Sequence, residues 1–522
     1  MPSGYLALIL HAHLPFVRHP EQEHFLEEEW LFEAITETYI PLLQMMQRLE
    51  RDRVPFKLTM SVTPTLCAML GDELLRERYV EHVDLLIDLM QRECERTHGD
   101  PKLFELAQFY CALFVESRRY FVEEWNCDLI AVFRKLRETG SLEIIASAAT
   151  HGVLPLHPRE SQRAQVLLGR DIYVDLFHVD PTGFWLPECA YAPGLENILQ
   201  EANIRWFVLD AHGLIFANPR PRRAIYAPCF TPSGVAAFAR DRDSSRQVWS
   251  ATEGYPGDPA YREFYRDIGW ELPLEHLGPV ARGMRKFSGV KYYRITGGDK
   301  IDKQLYDRDA AVKAADAHAA HFLERRQWQL RELSDLDVDP IIVAPFDAEL
   351  FGHWWFEGPR FLELLIRKAA QQDEIRLTTP SEYLAAHPTQ QTLQPAASTW
   401  GENGHLEVWL HPSNAWIYPR LHSAERTMTE LARKHMSDPS TTLDRVLKQL
   451  ARELLLAQAS DWAFLIKNAT AKEYATKRTM DHLNRFEQLR NQFANEDLDL
   501  AFLSEIESRD NLFPNVNWRY FA

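Results

Sequence analysis

The chain has 522 residues, 46% hydrophobic and 25% charged, a globular composition long enough for one large barrel with additions or for two to four domains. Its 58 basic against 75 acidic residues give a formal charge of −17, which offers no attraction to nucleic-acid backbones or anionic lipid and leaves a neutral substrate such as a sugar unpenalised. No segment is long and apolar enough to span a membrane, and the N-terminus lacks the basic stretch of a signal peptide. The six scattered cysteines form no CxxC pair and read as reduced thiols, so a cytoplasmic protein is expected.

The first predicted strand, Tyr5–Leu10, runs into His11-Ala12-His13. Two histidines at i and i+2 on extended backbone face the same side, where they can bind a metal or hydrogen-bond sugar hydroxyls. Trp30, Ala34, Ile35, Tyr39, Leu42, Leu43, Met46 and Leu49 then make one apolar helical face. A strand at Phe56–Val62 precedes a nearly continuous helical pattern from about Leu70 to Arg137, read as a helical insertion. The strand Leu142–Ser147 leads to His151, positioned to reach the same cleft as the first two histidines. Next come Gly183–Leu186 and then Pro187-Glu188-Cys189, where a glutamate ends an aromatic strand and is poorly placed for a solvated charge. Cys189 has carboxylate rather than cationic neighbours, so it reads as packing.

After a strand at Trp206–Asp210, the last is Ile341–Pro345, followed by Phe346-Asp347-Ala348-Glu349-Leu350-Phe351-Gly352-His353-Trp354-Trp355. Acidic residues mixed with tryptophans suit a carbohydrate cleft, because aromatic faces stack on pyranose rings and carboxylates bind hydroxyls. Trp400-Gly401-Glu402-Asn403-Gly404-His405, with Trp409 beyond, has the look of a stacking platform. A Pro-, Thr- and Gln-rich stretch between Gln371 and Pro412 marks a boundary, beyond which Ser423–Gln458 and Thr470–Phe493 read as helices. Strand alternating with helix implies a parallel sheet, with the chemistry at the carboxyl ends of its strands. Nucleotide-binding fingerprints, a GxSxG elbow and HExxH are absent from the sequence.

The strings WLPECAY and FDAELFGHWWFEG, supported by HAHLP and WGENGH, make the chain resemble glycoside hydrolase family 57 over its whole length, and within it the 1,4-α-glucan branching enzymes. The resemblance implies an α/β fold: an incomplete (β/α)7 barrel over residues 1–395, with the insertion at roughly 70–137, and a helical C-terminal domain over 396–522. It implies a retaining mechanism with Glu188 as nucleophile and Asp347 as general acid/base. It also implies an α-glucan substrate, no cofactor or metal, and a monomer. His11, His13 and His151 match cleft positions; Trp270, Trp400 and Trp409 match aromatic substrate contacts. Ser460-Asp461-Trp462 resembles the part of the C-terminal domain that approaches the cleft, with Asp461 facing substrate. The family's branching enzymes carry a tyrosine on a mobile loop over the site; the corresponding stretch here, Cys229 to Arg246, has none. The competing expectations are an amylase or 4-α-glucanotransferase on the same fold, a deacetylase-like barrel with His11, His13 and Asp347 on a metal, and a non-catalytic glucan-binding protein.

Overall fold

The structure, a computed structural model, describes residues 3–250, 253–297, 303–437 and 440–522. Its centre is a curled sheet whose strands in chain order are β1 (Gly4–Ala12), β2 (Leu58–Val62), β3 (Leu142–Ser147), β4 (Gly183–Trp185), β5 (Trp206–Leu209), β6 (Cys229–Phe230), β7 (Ala236–Ala239), β8 (Ile341–Asp347) and β9 (Ile375–Leu377). Eight of them are parallel, seven in the order β7-β5-β4-β3-β2-β1-β8. β6 adds an antiparallel edge to β7, and β9 pairs with the start of β1. The two edges of the curl meet through isolated contacts, Asp241 N–H to the Val343 carbonyl at 2.8 Å and Ile341 N–H to the Tyr226 carbonyl at 2.9 Å. Among the described residues no ladder joins β7 to β8, so the barrel is incomplete at that seam.

The strand sequences explain this shape. β1 reads as an apolar run because helices cover one face and the barrel interior the other. Ala7 and Ile9 of β1, Ile145, Trp185, Trp206, Val208, Phe238, and Ile341 and Val343 of β8 fill the interior, while Leu6, Leu8 and Leu10 join the outer core. With a period of two, the inward face that holds Ala7 and Ile9 reaches His11, and the one that holds Ile341 and Val343 reaches Asp347. His11 and Asp347 are register partners across β1 and β8. Both strands extend further than their sequences suggest, so His11 and Asp347 lie within strands rather than after them.

Three readings change. The stretch Cys229–Arg246, expected as a loop over the site, is a hairpin of β6 and barrel strand β7 followed by the helix Arg242–Trp249; Phe238 is buried inside the barrel. Alternation is weak in Val235-Ala236-Ala237-Phe238-Ala239, and small residues concealed the strand. The Leu70–Arg137 region divides into Glu73–Thr97, Pro101–Arg119 and Leu129–Glu138, each opened by an aspartate cap: Asp72, Asp100 and Asp128 accept from first-turn amides. The Ser423–Gln458 pattern is two helices, Ile417–Lys434 and Thr441–Ala457, the second capped by the Ser440 side chain. Ser460–Asn468, Lys472–Ala494 and Leu500–Arg509 complete the C-terminal helices.

Candidate active site

Every expected polar site residue converges on the carboxyl ends of the barrel strands except Asp461, which arrives from the C-terminal helices. The rings of His11, His13 and His151 stack on one another, with centroids 4.9 Å apart for His11–His151 and 3.8 Å for His13–His151. Trp185, inward on β4, closes the stack against His11 at 4.5 Å. His151 reaches this position through a left-handed backbone, φ 59°.

Glu188 and Cys189 are also left-handed, at φ 61° and 47°. Each such residue costs roughly 1–2 kcal/mol, strain that marks a position over-determined by its surroundings. The tight turn after β4 swings the Glu188 carboxylate into the cleft. There the Trp400 indole N–H donates to its Oε2 at 2.8 Å and the Ser460 hydroxyl to its Oε1 at 3.3 Å. Cys189 is buried in the barrel core and burial holds its thiol well above the ordinary range, in keeping with packing.

The hydrogen bonds fix tautomers. Because the Ser460 hydroxyl donates to Glu188, it accepts from His151 Nδ1–H at 2.8 Å. His151 Nε2 is then the acceptor, and the His11 Nε2–H donates to it at 2.9 Å. The chain His11–His151–Ser460–Glu188 is therefore directional, with every proton aimed toward the carboxylate. His13 differs. Its Nε2 lies 3.1 Å from both Asp461 oxygens, and its Nδ1 lies 3.0 Å from Thr63 Oγ1.

These contacts set the charges. Burial, then the nearby His13 charge, pushes His151 and His11 well below the ordinary imidazole range, so both are neutral. Burial would also depress His13, but Asp461, helped by Glu188 and Glu349, outweighs it and raises His13. Burial pushes Glu188 up to about 7, with the Trp400 hydrogen bond opposing and the Asp461 charge adding to the rise. Asp347 accepts no hydrogen bond among the described residues, and burial, then Glu349 and Glu188, holds it well above the ordinary range, with Arg240 opposing. Both carboxyls are raised, but their surroundings differ: Glu188 accepts from two donors and the Asp347 carboxyl from none among the described residues. Carboxylates held apart in this way can divide acid and nucleophile roles between them.

The tryptophans are less uniform. Trp400 bonds Glu188 directly and meets Trp185 edge-on at 5.1 Å. Trp409, expected to offer a stacking face, is 2% exposed and lies under Gly401, where a Cβ would come within 2.6 Å of its ring. It shapes the Trp400 turn from beneath. Trp270 sits on the short helix Ile268–Glu271, 51% exposed and edge-on to Phe287 at 6.0 Å. Sequence reasoning passed over Glu349, Tyr39 and Arg240. Glu349 stands two residues past Asp347, and that i+2 spacing is the sequence signal for it.

The metal reading loses its geometry. Among the described residues, His11, His13 and Asp347 do not bring three donor atoms within 4.8 Å of one another. Both nitrogens of His13 and the Nε2 of His11 are already engaged by protein groups.

Residues 7–395 match the sequence profile of Glycosyl hydrolase family 57. The chain belongs to that family. Residues 420–521 match the profile "1,4-alpha-glucan branching enzyme, C-terminal". The family 57 chain is 34% identical to the 1,4-alpha-glucan branching enzyme of Thermococcus kodakarensis, across 98% of its own length and 78% of the relative's. Its fold superposes on the alpha-amylase AmyC from Thermotoga maritima with a TM-score of 0.93 at 43% identity, covering 99% of each chain. For the GH57-type branching enzyme from Pyrococcus horikoshii the TM-score is 0.90 at 35% identity, covering 99% of this chain and 97% of the other. No helix among the described residues is long and apolar enough to cross a membrane.

Proposed function

We propose that this chain is a 1,4-α-glucan branching enzyme that works by retaining double displacement, with Glu188 as nucleophile and Asp347 as general acid/base. The observation that carries the reading is the unequal pair: a Glu188 clasped by the Trp400 and Ser460 donors beside a buried Asp347 whose carboxyl has no donor among the described residues and is raised well above its ordinary range. Asp347 protonates the oxygen of an α-1,4 bond while Glu188 attacks the anomeric carbon, and the fragment on the leaving side departs. The donor chain stays as a glycosyl ester on Glu188. Asp347, now a carboxylate, takes the proton from the 6-hydroxyl of a second glucan; that oxygen attacks the anomeric carbon and frees Glu188. Neutral His11 and His151 orient Glu188 through Ser460, and the charged His13 is balanced by Asp461.

The branching outcome is supported by the C-terminal profile and by the curated relative. A second reading, an α-amylase, is favoured by the 43% likeness to the Thermotoga maritima enzyme and by a Cys229–Arg246 stretch that builds barrel wall instead of a lid. Both share the first half-reaction and differ in whether water or a sugar hydroxyl takes the intermediate. Incubation with amylose, then isoamylase debranching and chain-length analysis, separates them. New short chains after debranching support branching; reducing sugar without isoamylase-sensitive linkages supports amylase.

The proposal extends to organisation. Residues 1–395 form the barrel unit and 396–522 the helical unit, a division supported by profile matches at 7–395 and 420–521. A monomer suffices, because one chain supplies every group of the site, and a cytoplasmic setting suits six unpaired cysteines. Light scattering and cell fractionation test these two points.

A further inference from the structure

The helix that follows β1 is interrupted by a π-helical turn, Ile35–Tyr39, between the α-helical segments Glu28–Ala34 and Ile40–Arg51. Its cause is local. Pro41 has no N–H, so the Glu37 carbonyl cannot receive its α-helical bond, while Ile40 N–H reaches back to the Ile35 carbonyl. The released Glu37 carbonyl faces Gly352, so closely that a Cβ there would lie 1.8 Å from it. The same extra residue turns the Tyr39 hydroxyl toward the loop after β8, where it donates to Glu349 Oε1 at 2.5 Å. The backbone N–H of His13 donates to the same oxygen at 3.1 Å.

Glu349 is thus a third cleft carboxylate, held by groups from two other elements, and the double-displacement steps do not use it. We propose that Glu349 is a positioning residue that keeps the proton on Asp347: pinned by the Tyr39 hydroxyl and the His13 amide, it places a negative charge against which Asp347 must ionise. This rests on the reading of Asp347 as the acid. Asp347 is faced by Glu349 from its own turn, by Glu188 after β4 and by Arg240 after β7; Glu349 is faced by His13 and by Tyr39. Burial raises Glu349 to about 7, with the Tyr39 hydrogen bond opposing. Its charge therefore develops as the pH passes neutrality. Like charges in one site ionise in succession, and the first holds the second back.

The test compares wild-type protein, Glu349→Gln and Tyr39→Phe in the pH dependence of kcat/KM on amylose, with circular dichroism confirming the fold. Glu349→Gln keeps an acceptor for Tyr39 and His13 but removes the charge. The alkaline midpoint is expected to fall by about one pH unit, with the rate on the acid side within about twofold. Tyr39→Phe, which makes the Glu349 charge harder to form, moves the same midpoint in the same direction by less, and it decides the matter if Glu349→Gln does not fold. A uniform loss at all pH values, an unmoved midpoint, or a raised KM with an unmoved midpoint each overturns the proposal, the last by making Glu349 a substrate contact. Wild-type protein inert toward amylose refutes instead the enzymatic reading beneath it.

Discussion

Replacing Trp400 with phenylalanine asks whether this residue serves as a sugar platform or as a hydrogen-bond donor to the nucleophile. Phenylalanine keeps an aromatic ring against Trp185 but removes the indole N–H, 2.8 Å from Glu188 Oε2. A hydrogen bond to a charged group contributes about 1.5–3 kcal/mol, and about 1.4 kcal/mol corresponds to one pKa unit. Glu188, already raised to about 7 by burial, then loses the largest influence opposing that rise and climbs by roughly one to two units. At neutral pH the ionised fraction drops from about one half to between roughly one tenth and one hundredth, so kcat/KM falls by about 5- to 50-fold. The loss shrinks as the pH is raised, because the acid limb of the profile has moved and the nucleophile is still present. The assay is the pH dependence of kcat/KM on linear maltooligosaccharides. A drop of equal size at every pH, carried by KM, would show that Trp400 acts by stacking and that its bond to Glu188 is incidental.

Three further outcomes follow from the same geometry. Glu188→Ala should abolish turnover with the fold intact, and azide should restore part of it as a glycosyl azide; near-normal activity in that variant would falsify the nucleophile assignment. Asp461→Asn should destabilise the protein chiefly at mildly acid pH. In the wild type His13 is raised above its unfolded value, so the pair stabilises below about pH 6.5 and that contribution fades as pH rises through the folded value; in the variant burial, opposed only by Glu188 and Glu349, depresses His13, and stability is lost as pH falls below about 6.5. Denaturant midpoints at mildly acid and mildly alkaline pH check this, and equal losses at both would contradict it. Gly352→Ala should cost more than about 2 kcal/mol, since φ is +119° and the new Cβ meets the Glu37 carbonyl at 1.8 Å; a thermal melt unchanged from wild type would refute the close approach.

The barrel was legible because its strands are short apolar runs that end in chemistry: His11, Glu188 and Asp347 stand where such runs stop being apolar. β7 was not, because Ala236-Ala237-Phe238-Ala239 carries too little alternation to separate a strand from a loop. The π-turn at Ile35–Tyr39 was hidden for another reason: a proline two residues beyond Tyr39 reads as an ordinary helix start, and only the closeness of Gly352 shows where the freed carbonyl goes. Trp409 and Trp400 looked equivalent as exposed-looking tryptophans in a glycine-rich stretch, yet Gly401 lets one slide under the other's turn. Sequence spacing cannot distinguish an aromatic residue facing a cleft from one that supports its floor.

The bond between His13 and Asp461 joins residues 448 positions apart. While the chain is being synthesised, the segments bearing Glu188 and Asp347 leave the ribosome on the order of ten seconds before Asp461 does. In that interval the barrel has its two carboxylates but lacks the counter-charge of His13 and the hydroxyl that clasps Glu188. On the proposed roles, a nascent chain has an unfinished site however well its barrel has folded. The proposed site is assembled only when the C-terminal helices dock, so the order of synthesis delays its completion.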